Sequence, residues 1–264
     1  VTRYLILGLV QGLTEFLPVS SSGHLVILQH FFGLKGPSNI LLDALLHFGT
    51  VLAVLILFRK KIGNLILSLF TDSREDRKYL LNIIIATVPI AVIGFTAQDA
   101  IESAFTSLRA TGVGLLITGL LLGTVRYIQK SNKEIDVLTW RDSILVGFAQ
   151  ATALFPGISR SGVTISAGIS RKLKPEFAAE FSFLLMVPAV LGATAFKIWD
   201  GIITNPNPLP GDLIIPYVLS TIIATVFGAF AITWLINLLK QGKFSLFSYY
   251  CLILGGITLI LSFT

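Results

Sequence analysis

The sequence predicts an all-α integral membrane protein with six transmembrane helices plus two re-entrant helix-break-helix hairpins, arranged as an inverted-topology repeat. Three observations predict it. Of 264 residues, 54% are hydrophobic and 13% charged, with a mean hydropathy of +0.83, which is too little polar surface to cover a soluble globule. Six apolar stretches reach the roughly 20 residues that a helix needs to cross a ~30 Å hydrocarbon core. Two shorter apolar stretches each run into a cluster of Pro, Ser and Gly, and the two clusters are alike. The same composition excludes a disordered chain, a nucleic-acid-binding module and a disulfide-stapled domain, since Cys251 is the only cysteine. Cys251 itself reads as a small buried hydrophobe.

In chain order, residues 4–17 are apolar but too short to span. They end at Pro18-Val19-Ser20-Ser21-Ser22-Gly23 and resume as a short apolar piece over 24–33. Spans are expected at 40–58, 79–98 and 108–128. Residues 143–155 and 163–170 flank Pro156-Gly157-Ile158-Ser159-Arg160-Ser161-Gly162 in the same way, and spans at 177–199, 213–236 and 246–263 follow. A backbone break near mid-membrane survives only where protein or a watery cavity covers it, because each bare N–H or C=O in lipid costs several kcal/mol. Only Arg3 precedes the first apolar run and no small-x-small site follows it, so no cleavable signal peptide is expected.

The two broken units align without a gap at an offset of 139 residues. Gly8 pairs with Gly147, Gln11 with Gln150, Phe16 with Phe155, Ser20 with Ser159, Ser22 with Ser161 and Gly23 with Gly162, six identities in sixteen positions. This reads as an internal duplication. Three spans separate the copies, an odd number, so the second lies upside down relative to the first. The chain is therefore read as a single membrane domain over 1–264, with halves of approximately 1–125 and 140–264.

Basic residues test that topology independently. Arg59, Lys60, Lys61, Arg74, Arg77, Lys78, Arg126, Lys130, Lys133, Arg141, Arg171, Lys172, Lys174, Lys240 and Lys243 all fall on one side, fifteen of the twenty. The positive-inside rule makes that side cytoplasmic. Arg3, Lys35, Arg109 and Lys197 lie opposite, with the Pro-rich residues 205–210 as the main loop. Both termini are then outside, and the first unit enters from outside and the second from the cytoplasm. Trp140, Trp199 and Trp234 fall near span ends, as aromatic belts do.

Glu15, His24, Arg160 and, near a span end, Asp43 are ionisable groups where hydropathy forbids them, and such residues are functional hypotheses. A guanidinium at Arg160 needs an anion facing it, either Glu15 in an internal salt bridge or a phosphate or carboxylate ligand, and the two can alternate. Each break precedes a helix, so Ser20 to Gly23 and Ser159 to Gly162 present N–H groups and hydroxyls at helix N-termini, where the macrodipole favours negative charge. Two such ends aimed at one cavity make a diphosphate-sized receptor; each cluster alone also reads as a helix cap. Ser21 and His24 are three apart and share a helical face, a nucleophile-plus-base pairing, with Glu15 as base, orienter of the histidine or metal ligand. His30 and His47 read as interfacial or structural, and Asp43 and Glu180 as helix-end or interhelical hydrogen bonders.

At these residues the sequence resembles the undecaprenyl-diphosphate phosphatase family, the bacitracin-resistance proteins. The first family motif stands as Gln11-Gly12-Leu13-Thr14-Glu15, followed by Phe16 to His24, and the second as Pro156-Gly157-Ile158-Ser159-Arg160-Ser161-Gly162-Val163-Thr164. The resemblance implies hydrolysis of the C55 isoprenoid diphosphate to its monophosphate on the outer face of the plasma (inner) membrane, recycling the lipid carrier of cell-wall synthesis. It implies essential roles for Glu15, His24 and Arg160, and makes Ser21 the nucleophile's counterpart. It also implies a divalent cation, Mg²⁺ or Ca²⁺, with Glu15 as a ligand. Gln11 takes the family's amide option, so one carboxylate is absent.

The mechanism expected from this is phosphoryl transfer in a cavity open to the outside and to lipid. Arg160, Gln11, Ser20, Ser22, Ser159, Ser161, Gly162 and Thr164 hold the diphosphate. Ser21 or a water attacks, and His24 or Glu15 takes the proton. Partners are the lipid substrate and membrane lipids, with no nucleic acid, and pairing into a homodimer is left open. A rival lipid-phosphatase family with a Pro-Ser-Gly-His core needs a second histidine where Ser166 stands. The rival from another class is a lipid-phosphate flippase, because broken inverted repeats are a transporter signature.

Overall fold

The computed structural model describes residues 1–34, 37–128, 138–203 and 211–263, and among these the regular structure is entirely helical. Lys35, Lys130, Lys133 and residues 205–210 lie outside the described residues, as do the side chains of Lys197 and Trp199. The first broken unit is α1 (Thr2–Phe16) and α2 (Ser21–Phe31), and the second is α8 (Trp140–Thr152) and α9 (Arg160–Ser170). The predicted spans correspond to α3 (Pro37–Leu57), α5 (Arg74–Thr96), α7 (Leu108–Val125), α10 (Pro175–Ile203), α11 (Gly211–Lys240) and α12 (Phe247–Leu261). Two short helices are additional, α4 (Arg59–Leu67) and α6 (Gln98–Phe105). Among the described residues, five helices are long and apolar enough to cross a membrane, or six if α3 and α4, bent by 78°, count as one span. The chain is a multi-pass membrane protein.

Exposed Leu120, Val226, Ile253 and Ile260 cover the lipid-facing surface, whereas Phe16, Phe181, Phe183, Leu185 and Ile165 are buried inside. That distribution inverts a soluble protein's only in part, because the interior is still a close-packed apolar core. Phe16 meets Phe183 edge to face at 5.3 Å, which places the end of α1 against α10.

The first helix of each broken unit packs on a long helix, α1 on α11 and α8 on α5. A Cβ on Gly8 of α1 would run into the Ser220 carbonyl of α11, and one on Gly147 of α8 into the Ala86 carbonyl of α5. These two glycines are partners in the sequence alignment, and both permit a backbone approach that any side chain would prevent. α7 and α12 lie antiparallel, with Gly112 facing Leu259 and Gly119 facing Leu252.

The open end of the second unit is fastened outside the spans. Thr139 and Asp142 form a reciprocal capping box at the start of α8, and Arg171, at the end of α9, donates from Nε to Asp142 Oδ1 at 2.5 Å. Burial alone would raise the Asp142 carboxyl. Hydrogen bonds from Thr139 and Arg171 outweigh it and hold the group below its ordinary value.

Candidate functional site

The two breaks meet. Ser161 Oγ donates to the Leu17 carbonyl at 3.1 Å across 144 residues of chain, and a Cβ on Gly23 would lie 3.2 Å from Gly157 Cα. Gly157 has φ +88°, a conformation that glycine adopts without steric cost, and its carbonyl accepts from Thr118 Oγ1 of α7 at 2.9 Å. The same hydroxyl accepts from the Ser159 N–H at 3.0 Å. α7, from the first half, thus braces the second break. α12, from the second half, braces the first, with Cys251 Sγ donating to the Pro18 carbonyl at 3.4 Å and Tyr250 reaching His24.

Ser20 and Ser159 are the N-caps of α2 and α9, accepting from Gly23 N at 3.2 Å and Gly162 N at 3.1 Å. Each also pairs with the serine two residues on, Ser20 with Ser22 and Ser159 with Ser161, both at 3.2 Å. The two serine clusters thus make the same pair of hydrogen bonds at their helix starts. Ser21 and Arg160 are each the first residue of their helices, so a hydroxyl and a guanidinium stand at matching positions.

Glu15 sits between them. Arg160 donates from an Nη to Oε1 at 2.7 Å; Ser21 Oγ donates to Oε2 at 2.5 Å and Gln11 Nε2 to the same oxygen at 3.0 Å. The Glu15 side chain is 5% exposed and that of Arg160 14%. A second Nη of Arg160 donates to the Ser182 carbonyl at 3.1 Å, and Ser182 Oγ pairs with Thr164 Oγ1 at 2.6 Å. The guanidinium is thereby fixed by α10 on one side and by the carboxylate on the other.

His24 stands apart from this cluster in its bonding. Its Nδ1 lies 2.8 Å from the Ser20 carbonyl and its Nε2 2.7 Å from Tyr250 Oη, so neither ring nitrogen bonds Ser21 or Glu15. The hydroxyl proton of Ser21 points at Glu15 instead. The histidine beside the carboxylate is His47, whose Nε2 is 3.7 Å from Glu15 Oε2 while its Nδ1 donates to the Asp43 carbonyl at 2.8 Å. His47 lies midway along α3, and its i−4 bond to Asp43 aims the free nitrogen inward. Asp43 accepts from Gln29 Nε2 of α2 at 2.6 Å, and Tyr79 of α5 donates to Glu180 of α10 at 3.5 Å, both interhelical bonds.

Among the described residues no three His, Cys, Asp or Glu side chains converge as a metal-binding group. Gln11 Oε1 is buried without a hydrogen-bond partner, the one such oxygen on a residue bonded to Glu15. A carboxylate, an amide oxygen and a substrate's phosphate oxygens are the hard donors that Mg²⁺ and Ca²⁺ take, so the residues fit a cation shared with a ligand better than one held by protein alone. Gln150, the second copy of Gln11, keeps both amide atoms buried and without a partner. No carboxylate faces it at the position of Glu15, because Leu154 stands there.

A family model described as bacitracin resistance protein BacA matches residues 4–257. A protein of Carboxydothermus hydrogenoformans named undecaprenyl-diphosphatase is 44% identical over 258 residues, 97% of this chain and 95% of that one. A protein of Halothermothrix orenii with the same name is 38% identical, covering 98% and 97%. A Bacillus cereus protein named undecaprenyl-diphosphatase 1 is 40% identical, covering 98% and 97%.

Proposed function

We propose that this chain, which belongs to the bacitracin resistance protein BacA family, hydrolyses undecaprenyl diphosphate to undecaprenyl phosphate and inorganic phosphate. The observation that carries the reading is the Glu15 carboxylate, which accepts from the Ser21 hydroxyl and the Arg160 guanidinium at once. A buried ion pair adjoining a nucleophile is a site that a phosphorylated ligand can enter by exchange. The terminal phosphate takes Arg160, and Glu15 is released as a base for Ser21.

Ser21 Oγ then bonds the terminal phosphorus while the bond from that phosphorus to the bridging oxygen breaks, and the hydroxyl proton passes to Glu15 Oε2. Undecaprenyl phosphate leaves, and water cleaves the phosphoserine beside the His24 imidazole, one turn along α2 from Ser21, to release inorganic phosphate. Arg160, Ser159, Ser161, Thr164 and the N-termini of α2 and α9 hold the phosphate oxygens, with Gln11, Ser20, Ser22 and Gly162 lining the same pocket. A bound Mg²⁺ or Ca²⁺, held by Glu15 and Gln11 Oε1 with phosphate oxygens, would offset charge on the diphosphate. The isoprenoid tail stays in lipid. A groove of about 550 Å³ between α7 and the second break, lined by Val113, Ile117, Phe155, Pro156 and Ile158, offers it an apolar wall.

The reading includes a topology of six spans and two re-entrant units in one membrane domain, with inverted halves at about 1–125 and 140–264. The exchanged packing of Gly8 on α11 and Gly147 on α5 supports it. The basic loops face the cytoplasm, both termini lie outside, and the site opens to the outer face of the plasma membrane. Hydrolysis there returns the carrier lipid to envelope synthesis.

Purified protein given undecaprenyl diphosphate should release inorganic phosphate, and acid quenching in the first turnover should trap phosphate on Ser21. Release without trapping would assign the attack to water, and a protein that only moved the lipid across vesicles would release none.

A further inference from the structure

The first break carries a histidine whose two nitrogens are both engaged away from the nucleophile, and the partner of the outer nitrogen comes from the far end of the chain. His24 Nδ1 lies 2.8 Å from the Ser20 carbonyl, which can only accept, so Nδ1 carries the proton. In the neutral ring Nε2 is then bare, and the Tyr250 hydroxyl at 2.7 Å donates to it. The two rings lie nearly parallel, at 4° and with centroids 5.7 Å apart. Cys251, the next residue of α12, bonds the Pro18 carbonyl, so two consecutive residues of α12 are docked on the turn that carries Ser21. Tyr250 is 47% exposed at this junction, and its hydroxyl reaches across to α2 to meet the imidazole.

We propose that Tyr250 is a positioning residue that, through its hydroxyl, fixes the orientation of the His24 imidazole beside Ser21, in the tautomer that the Ser20 carbonyl selects. A ring tied only at Nδ1 could still pivot about that bond; a second tie at Nε2 removes the pivot. The proposal rests on the reaction proposed above for its kinetic consequence, but its structural content does not depend on that reaction.

Two measurements test it. Tyr250→Phe keeps the ring and its stacking, and should lower kcat for undecaprenyl diphosphate by about five- to tenfold, the loss of one hydrogen bond, with KM changed by less than about twofold. In a His24→Gln background the same substitution should change kcat by less than about twofold, since it acts through the imidazole. An equal fall in both backgrounds, or a rise in KM alone, would overturn the assignment. Independently of activity, nitrogen-15 spectra of histidine-labelled protein contain three imidazoles, and His24→Gln identifies the one that matters. The wild type should show His24 protonated at Nδ1 with a hydrogen-bonded Nε2, and Tyr250→Phe should shift Nε2 alone. Identical His24 spectra in the two proteins would refute the bond. Wild-type protein that released no phosphate would sink the proposed reaction while leaving the spectra to decide Tyr250.

Discussion

Replacing Arg160 separates what the ion pair does for the fold from what it does for chemistry. Arg160→Met leaves the Glu15 carboxylate, 5% exposed, with Ser21 and Gln11 as donors and His47 at 3.7 Å. Stranding one charge of a buried pair costs about 3–5 kcal/mol, whereas removing both is close to neutral. The single variant should therefore unfold earlier by about that amount in mixed detergent micelles, and Glu15→Gln with Arg160→Met should return to within about 1 kcal/mol of wild type. A double-mutant cycle should give a coupling of at least about 2 kcal/mol. All of these variants should release phosphate at least about a hundredfold more slowly, because donors aimed at a transferring phosphoryl group contribute on that scale. Arg160→Lys should be as slow, since a shorter side chain ending in one nitrogen lacks the planar fork whose two nitrogens bond Glu15 and the Ser182 carbonyl. Additive stabilities would refute the buried pair, and an Arg160→Lys enzyme within threefold of wild type would refute the guanidinium's role.

Three further outcomes are expected. Gly157→Ala forces a side chain onto a backbone at φ +88° and against the Thr111 carbonyl, and should cost at least about 2 kcal/mol and most turnover, whereas Gly63→Ala, in open space on α4, should be neutral or stabilising by about 0.5–1 kcal/mol in the same unfolding assay. Asp142→Asn should lose about 1–2 kcal/mol at pH 7. In the wild type the stabilisation by Asp142 is present above the ordinary carboxylate range and disappears as pH falls through its lowered value, so the two unfolding curves should converge in acid; curves that already coincide at pH 7 would show that the carboxylate contributes nothing. Ile117→Trp, which fills the lateral groove, should raise KM for the C55 substrate several-fold while leaving a ten-carbon prenyl diphosphate unaffected; equal effects on both would show that the groove does not hold the tail.

The breaks were legible from the clusters Pro18–Gly23 and Pro156–Gly162, where proline, serine and glycine interrupt short apolar runs, and the spans because lipid demands about 20 apolar residues. Chemistry made Glu15 and Arg160 conspicuous as charges in apolar surroundings, and their contact at 2.7 Å is the most direct consequence. The partner of Ser21 was less legible. Spacing put Ser21 and His24 on one face, but helix-face geometry does not say which way an imidazole turns, and the Ser20 carbonyl and Tyr250 took both nitrogens. His47 and Tyr250 were harder still to read, since each is placed by packing against a residue far along the chain, 32 and 226 positions away respectively. His47 was read as interfacial or structural from its position near a span end, yet α3 runs from Pro37 and holds it half-way along. A repeat of i and i+4 polar residues in an apolar span, Asp43 and His47, was the one available hint.

The cross-bracing of the two breaks also bears on how the molecule is made. Thr118 of α7 supports the second turn and Cys251 and Tyr250 of α12 support the first, so each turn is held by a helix outside its own helix pair. During synthesis the Glu15 and Ser21 segment enters the bilayer early, but the helix that steadies it is the last of those described to emerge from the ribosome. A nascent chain stalled before α12 would therefore lack the hydrogen bonds by which Cys251 and Tyr250 hold the first turn.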